Sequence, residues 1–72
     1  MPSIKAKDFL SALLRYGCVE VSVKGSHHKV RNPANGKVST VPVHSGRDIK
    51  KGLAAAILSQ LGIDADEFLM FV

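Results

Sequence analysis

The sequence predicts an α+β fold in which two amphipathic helices cover one face of a three-stranded antiparallel sheet. Apolar residues recur every three or four positions near both ends of the chain, which is typical of helices packed on a core. Between these segments apolar and polar residues alternate, as in strands, and turn residues separate the alternating runs. A chain of 72 residues has room for one core, so we expect residues 1–72 to form a single domain.

The first helix is predicted from about Ala6 to Tyr16, and Gly17 is suited to end it in a left-handed conformation. Its apolar side is formed by Phe9, Leu10, Leu13 and Leu14. After Gly17, the spacing of apolar residues changes from about four positions to two. Val19, Val21 and Val23 alternate with polar residues, which predicts a half-buried strand.

The run from Ser26 to Arg31 predicts a second strand, because Gly25 separates it from the first. Side chains alternate along a strand, so this run has two distinct faces. One face carries His27, Lys29 and Arg31, and the other carries Ser26, His28 and Val30. Since Val30 belongs in the core, we expect His27 to lie on an open face beside two cations.

Turn residues occupy 32–36, where Asn35-Gly36 favours a tight hairpin. A third strand follows from about Lys37 to Val43. Its inner face is predicted to hold Ser39, Val41 and Val43. Pro42 cannot donate a backbone hydrogen bond, which indicates an edge strand or the end of a strand.

The second helix is predicted from about Ile49 to Leu61, ended by Gly62, with Ser45 or Asp48 as a possible cap. Its apolar stripe consists of Ile49, Leu53, Ala54, Ile57, Leu58 and Leu61. Residues 64–67 resemble a capping box that opens a last helical turn. The apolar residues after it, Phe68, Leu69 and Phe71, are expected at the edge of the core, with a partner-binding patch as the alternative.

The charge of the chain is uneven. Ten Lys and Arg oppose six Asp and Glu, and all ten basic residues lie within residues 1–63. A basic body of this kind attracts polyanions such as RNA, DNA or an acidic protein, although many small soluble domains carry excess lysine without such a role. Cys18 is the only cysteine, which fits a reducing cytosol. No stretch resembles a signal peptide or a membrane span, so we expect a cytoplasmic protein without membrane contact.

Three segments resemble a known family. Gly25-Ser26-His27 resembles the Gly-Ser-His signature of HicA toxins, and residues 41–46 with 49–52 are similar to that family's second signature. The first helix, ending in Gly17 before an apolar strand, agrees with the family as well. Cys18 stands where the family usually has an aromatic residue, a difference that affects packing more than chemistry.

The resemblance implies a double-stranded-RNA-binding-domain-like fold, α-β-β-β-α, that acts as an endoribonuclease. Proteins of this family cleave messenger RNA and are held inactive by a partner antitoxin, HicB. The family's catalytic histidine, the one in Gly-Ser-His, corresponds to His27.

The chemistry of RNA cleavage suits these residues. The 2′-hydroxyl of RNA is an internal nucleophile, so cleavage requires proton transfer, for which histidine is well suited near neutral pH, and stabilisation of phosphate charge. His27 is therefore predicted to be the general acid or base, with Lys29 and Arg31 holding the phosphate. Gly25 and Ser26 would let a phosphate approach closely. Without the family context, His27 would be interpreted as an exposed strand histidine without a role.

The other candidates are less specific. His28 is expected to be hydrogen-bonded and partly buried, and His44 to lie near the site as a second catalytic group or as a residue that orders the loop. Arg47, Lys50 and Lys51 precede or open the second helix, where they would contact phosphates or form a solvated face. Adjacent strand histidines point to opposite faces and there is no Cys-x-x-Cys pair, so we expect no metal and no cofactor.

Two other functions remain open from the sequence. The chain could be a non-catalytic RNA-binding module on the same fold, which would bind RNA without cutting it. It could also be a protein-interaction module with no role on nucleic acid, which would not bind RNA even at low salt.

Overall fold

A computed structural model describes residues 3–72 and confirms the α+β class. Within residues 3–72, three helices and five strands follow one another. In chain order they are β1 (Ile4–Lys5), α1 (Ala6–Tyr16), β2 (Val19–Lys24), β3 (His27–Arg31), β4 (Val38–Pro42), β5 (Asp48–Ile49), α2 (Lys51–Leu61) and α3 (Ala65–Leu69). Among the residues described, no helix is long and apolar enough to cross a membrane.

The predicted meander is present as an antiparallel sheet in the order β2-β3-β4. The helix α2 packs against β4, whereas α1 contacts β4 together with β1, β5 and α3. The inner face of the sheet meets the helices through Val30 and Val41, which are fully buried, and through Ser39. Pro42 ends β4, which is an edge strand, as its missing donor predicts. We call the opposite face of this sheet, which the helices leave open, the outer face.

The core lies between this sheet and the helices. Its largest fully buried side chains are Phe9, Phe68, Leu13, Ile49, Ile57, Leu58, Leu61, Val30 and Val41. The predicted apolar sides of α1 and α2 largely supply it, with two exceptions. Leu14 and Leu53 are exposed by 42% and 43%, because each lies at the margin of its helix stripe rather than at its centre.

The prediction that β2 is half-buried is wrong, because all six of its residues are exposed. The strand is the edge of the sheet remote from the packed helices, and its ladder is interrupted between Glu20 and Ser22. This bulge leaves Val21 without a partner, so the alternation of side chains changes phase. Val19 then pairs with Arg31 on the outer face, whereas Val23 pairs with His28 on the inner face.

A second, two-stranded sheet was not predicted from the sequence. In it β1 pairs antiparallel with β5, so that Ile4 lies opposite Ile49 and Lys5 opposite Asp48. Ile49 therefore belongs to a strand rather than to the second helix, which begins at Lys51. The predicted cap by Ser45 or Asp48 is wrong for the same reason: the residue that precedes the helix is Lys50, and no side chain caps the helix.

The predicted helix ends and the predicted turn between β3 and β4 are present. Gly17 and Gly62 end the first two helices with positive φ angles of 131° and 66°. The side-chain amides of Asn32 and Asn35 both donate to the carbonyl oxygen of Leu61, at 2.9 and 3.0 Å, which ties the turn between β3 and β4 to the end of α2. The unpaired carbonyl at this helix end is thereby satisfied.

The C-terminal segment is part of the core through one residue. The Asp64 carboxylate accepts from the backbone N–H of Glu67 at 3.0 Å, which confirms the predicted N-cap. Phe68 is fully buried, with its ring centroid 5.1 Å from that of Phe9. Leu69 and Phe71 are 38% and 37% exposed. Phe68 therefore belongs to the core, as expected, whereas Leu69 and Phe71 are only partly covered by it.

Candidate functional site

The Gly25-Ser26 pair forms a two-residue turn between β2 and β3. Lys24 and His27 are paired across this turn, and Gly25 has a φ angle of 57°. A positive φ angle at the first position of a two-residue hairpin favours glycine, because side chains are strained there. The turn therefore fixes His27 as the first residue of β3.

His27 lies on the outer face, as the alternation predicts. Exposed and covered residues alternate along β3, and His27, Lys29 and Arg31 are all exposed while Val30 is buried. His27 lies between Lys24 of β2 and Pro42 of β4 in the register of the sheet. The central strand thus presents one imidazole followed by two cations to solvent.

Lys24 is a further cation of this face that the sequence pattern did not single out. It lies directly opposite His27 across the hairpin, and residues opposite each other in a ladder share a face. The signal was present in the sequence, because a two-residue Gly25-Ser26 turn dictates that pairing.

His44 reaches the same end of the sheet. The backbone N–H of Val43 donates to the Ser26 carbonyl at 2.7 Å, which extends the pairing of β3 and β4 to the turn. The His44 Nε2 then lies 3.4 Å from the Ser26 Oγ. His44 therefore lies at the end of β3 that holds His27, where the sequence analysis expected it.

A groove connects this end of the sheet with the start of α2. It has a volume of about 350 Å³ and is lined by Pro42, His44, Arg47, Asp48, Ile49, Lys50 and Leu53. Arg47 and Lys50, both predicted to contact phosphates, therefore share a concave surface with His44. Lys51 is exposed on the first turn of α2 but does not line the groove.

His28 has the structural role that was expected of it. Its Nδ1 lies 2.7 Å from the Glu20 Oε1, and its side chain is 20% exposed. The pair lies on the inner side of the β2–β3 hairpin, because His28 shares a face with Val30. The two adjacent histidines of this chain thus face opposite sides of the sheet.

Shifted pKa values occur away from this site. Burial raises the pKa of the Cys18 thiol. The pKa of the Tyr16 hydroxyl is also raised, first by desolvation and then by its hydrogen bond to Glu67. Within residues 3–72, no group of three or more His, Cys, Asp or Glu side chains is arranged to hold a metal ion.

Comparison with known proteins assigns most of the chain to a family. Residues 6–63 match the family model described as the HicA toxin of bacterial toxin–antitoxin. The match covers well over half of the chain and includes the Gly25-Ser26 turn, His27 and His44. No curated protein matches the chain.

Proposed function

Because the chain belongs to the HicA toxin family of bacterial toxin–antitoxin systems, we propose that it is an endoribonuclease that cleaves messenger RNA with His27. The observation that carries this proposal is the position of His27 on the outer face, exposed and in line with Lys29 and Arg31. An imidazole in this position is accessible to a ribose and its phosphodiester. Cations beside it lower the cost of bringing a polyanion there.

The reaction uses the nucleophile that RNA itself contains. The 2′-oxygen attacks the adjacent phosphorus while the bond from phosphorus to the 5′-oxygen breaks, which gives a 2′,3′-cyclic phosphate and a 5′-hydroxyl. One proton leaves the 2′-hydroxyl and one is delivered to the departing 5′-oxygen. Neutral imidazole performs the first transfer and imidazolium the second, and an ordinary histidine holds both forms near neutral pH. His27 performs one of the two.

The cations would act on the phosphate. Negative charge builds up on the nonbridging oxygens during the attack, and fixed positive groups stabilise that charge. Lys29 and Arg31 lie on the same strand face as His27, and Lys24 lies across the turn from it. The Gly25-Ser26 turn lets the phosphate approach the backbone closely, because neither residue carries a large side chain. Arg47, Lys50 and Lys51 would hold flanking phosphates near the start of α2.

The proposal extends to the setting of the protein. We infer a double-stranded-RNA-binding-domain-like arrangement from the order of α1, the β2-β3-β4 sheet and α2 on one face of it. Membership in a toxin–antitoxin family implies an antitoxin partner, and we propose that this partner is of the HicB type. With messenger RNA as its substrate, the protein would act in the cytoplasm. We propose that residues 1–72 form a single domain.

The test uses an RNA oligonucleotide in the presence of a chelator, beside the same oligonucleotide with 2′-deoxyribose at every position. We expect cleavage of the RNA with 2′,3′-cyclic phosphate ends and no cleavage of the deoxy oligomer. Equal cleavage of both oligomers would contradict the internal nucleophile. RNA binding without cleavage would instead favour the non-catalytic RNA-binding module, which the basic outer face also fits.

A further inference from the structure

A second concave surface shares His44 and Arg47 with the groove described above. It has a volume of about 210 Å³ and is lined by Lys5, Ala6, Lys7, Val43, His44, Ser45, Gly46 and Arg47. We call it the Lys5–Arg47 cleft. Three of its lining residues are permanent cations, none is acidic, and none is Phe, Tyr or Trp.

The cleft owes its charge to the unpredicted β1–β5 pairing. Lys5 lies opposite Asp48 in that ladder, and the backbone N–H of Ala6 donates to the Arg47 carbonyl at 2.9 Å. These contacts bring the start of α1 against the loop that follows β4. Lys5 and Lys7, distant in sequence from the other basic candidates, thereby reach Arg47.

The cations of the cleft are not neutralised by the acids near them. Asp48 faces Lys5 across the ladder and Asp8 lies in the first turn of α1, but neither lines the cleft. Within residues 3–72 the one ion pair is that of His28 with Glu20, so Lys5, Lys7 and Arg47 form none there. All three are exposed. Like charges gathered at one concave surface repel one another, and a bound anion relieves that repulsion.

The cleft is continuous with the proposed site through His44. Its ring lines the cleft, and its Nε2 lies 3.4 Å from the Oγ of Ser26, the residue before His27. The cleft and His27 therefore lie at the same end of the sheet, where one RNA strand could contact both.

We propose that the Lys5–Arg47 cleft binds a backbone phosphate of the RNA that flanks the phosphate cleaved at His27, with Lys5 and Lys7 holding it. This inference rests on the proposed ribonuclease function. Three permanent cations and no carboxylate in the lining favour binding of the sugar–phosphate backbone. Binding at the cleft thus lengthens the stretch of RNA that the protein contacts, without adding sequence preference.

The experiment compares Lys5→Ala and Lys7→Ala, singly and as a double variant, with Lys37→Ala as the control for the loss of one charge. Lys37 is an exposed lysine next to the opposite end of β4, remote from the cleft. Each is made in the wild-type and His27→Ala chains, with circular dichroism as the check on folding. RNA affinity in the His27→Ala background is measured against salt, and cleavage in the wild-type background is measured on a dinucleotide and on a longer oligonucleotide.

We expect the double variant to bind the longer RNA more weakly. The slope of log K against log salt concentration should become shallower by roughly 0.7 for each phosphate that is no longer neutralised. Cleavage of the longer RNA should slow while the dinucleotide is cleaved at the wild-type rate. An unchanged slope, or a change equal to that of Lys37→Ala, would overturn the inference. RNA binding is also measured in the presence of inorganic phosphate as a competitor. If the double variant binds RNA as the wild type does and differs only in that phosphate no longer competes, the inference is overturned, because the cleft would then be a site for small anions.

The two proposals fail separately. If the wild-type protein cleaves no RNA, the proposed nuclease activity fails, yet the binding measurement in the His27→Ala background still decides the role of the cleft. If cleavage depends on His27 and the cleft variants behave as Lys37→Ala does, only the cleft inference fails.

Discussion

Ser26 and His44 are 18 positions apart in sequence, yet the Ser26 Oγ and the His44 Nε2 lie 3.4 Å apart. This interaction joins the tight turn before His27 to the loop that follows β4. It brings the two predicted signatures of the chain, Gly25-Ser26-His27 and the segment ending in His44-Ser45-Gly46, to one end of the sheet. His44 also lines both concave surfaces of that end.

His44→Ala should lower the cleavage rate by about tenfold or less. The residue orders the loop through one exposed hydrogen bond, and a bond of this kind contributes about 1 kcal/mol. Single-turnover cleavage of His44→Ala and of Ser26→Ala measures the effect, and both variants should respond alike. A fall of about a hundredfold or more for His44→Ala alone would contradict this, because it would identify His44 as the second proton-transfer group.

Gly25→Ala should destabilise the fold by about 1 to 2 kcal/mol, because its φ angle of 57° is strained for any residue with a side chain. An added Cβ would meet no atom within 4 Å, so the effect is one of backbone conformation alone. Gly52 of α2 is the control, since it also has free space but no positive φ angle. Gly52→Ala should stabilise by a few tenths to about 1 kcal/mol. Urea unfolding that gives both variants the same sign would refute this account.

Phe68→Ala should cost about 3 to 5 kcal/mol, because it removes a fully buried ring that packs on Phe9. Phe71→Ala should cost much less, since Phe71 is 37% exposed. Small domains have modest stability, so Phe68→Leu serves as the milder change if the alanine variant does not fold. Denaturant midpoints that are equal for Phe68→Ala and Phe71→Ala would show that α3 is not part of the core.

The Cys18 thiol should react slowly with iodoacetamide in the folded protein. Burial raises its pKa, and the side chain is 5% exposed. The thiolate is the reactive form, so at a pH near the usual thiol pKa of about 8.5 the folded state suppresses the reaction. The pKa of Cys18 is higher in the folded than in the unfolded state. The free energy of unfolding is therefore largest below the unfolded pKa, and it falls as the pH rises from the unfolded pKa through the folded pKa. Labelling at the same rate with and without urea, followed by mass spectrometry, would contradict this.

The sequence predicted the central strand best. The alternation of β3 gives the correct face to His27, Lys29 and Arg31, because a strand paired on both sides has little freedom to change phase. The same reasoning failed for β2, where the bulge at Val21 and the edge position leave Val19 and Val23 exposed on opposite faces. Neither feature is visible in an alternating row of valines.

The features that the sequence did not predict arise from interactions between segments that are distant along the chain. Ile49 fits the helical stripe that follows it, yet it pairs with Ile4 in a strand. That pairing depends on how the start of the chain returns to the loop after β4, which local periodicity does not encode. For the same reason the sequence identified His44 and Arg47 as candidates but gave no sign that Lys5 and Lys7 lie beside them.

The most direct test of the account is single-turnover cleavage of an RNA oligonucleotide in chelator by His27→Ala, with His28→Ala as the control. The two histidines are adjacent but face opposite sides of the sheet, so the pair separates chemistry from a general effect of losing an imidazole. We predict a loss of about 10²- to 10⁴-fold for His27→Ala and a rate near that of the wild type for His28→Ala. A folded His27→Ala protein that cleaves RNA at the wild-type rate would contradict the central claim.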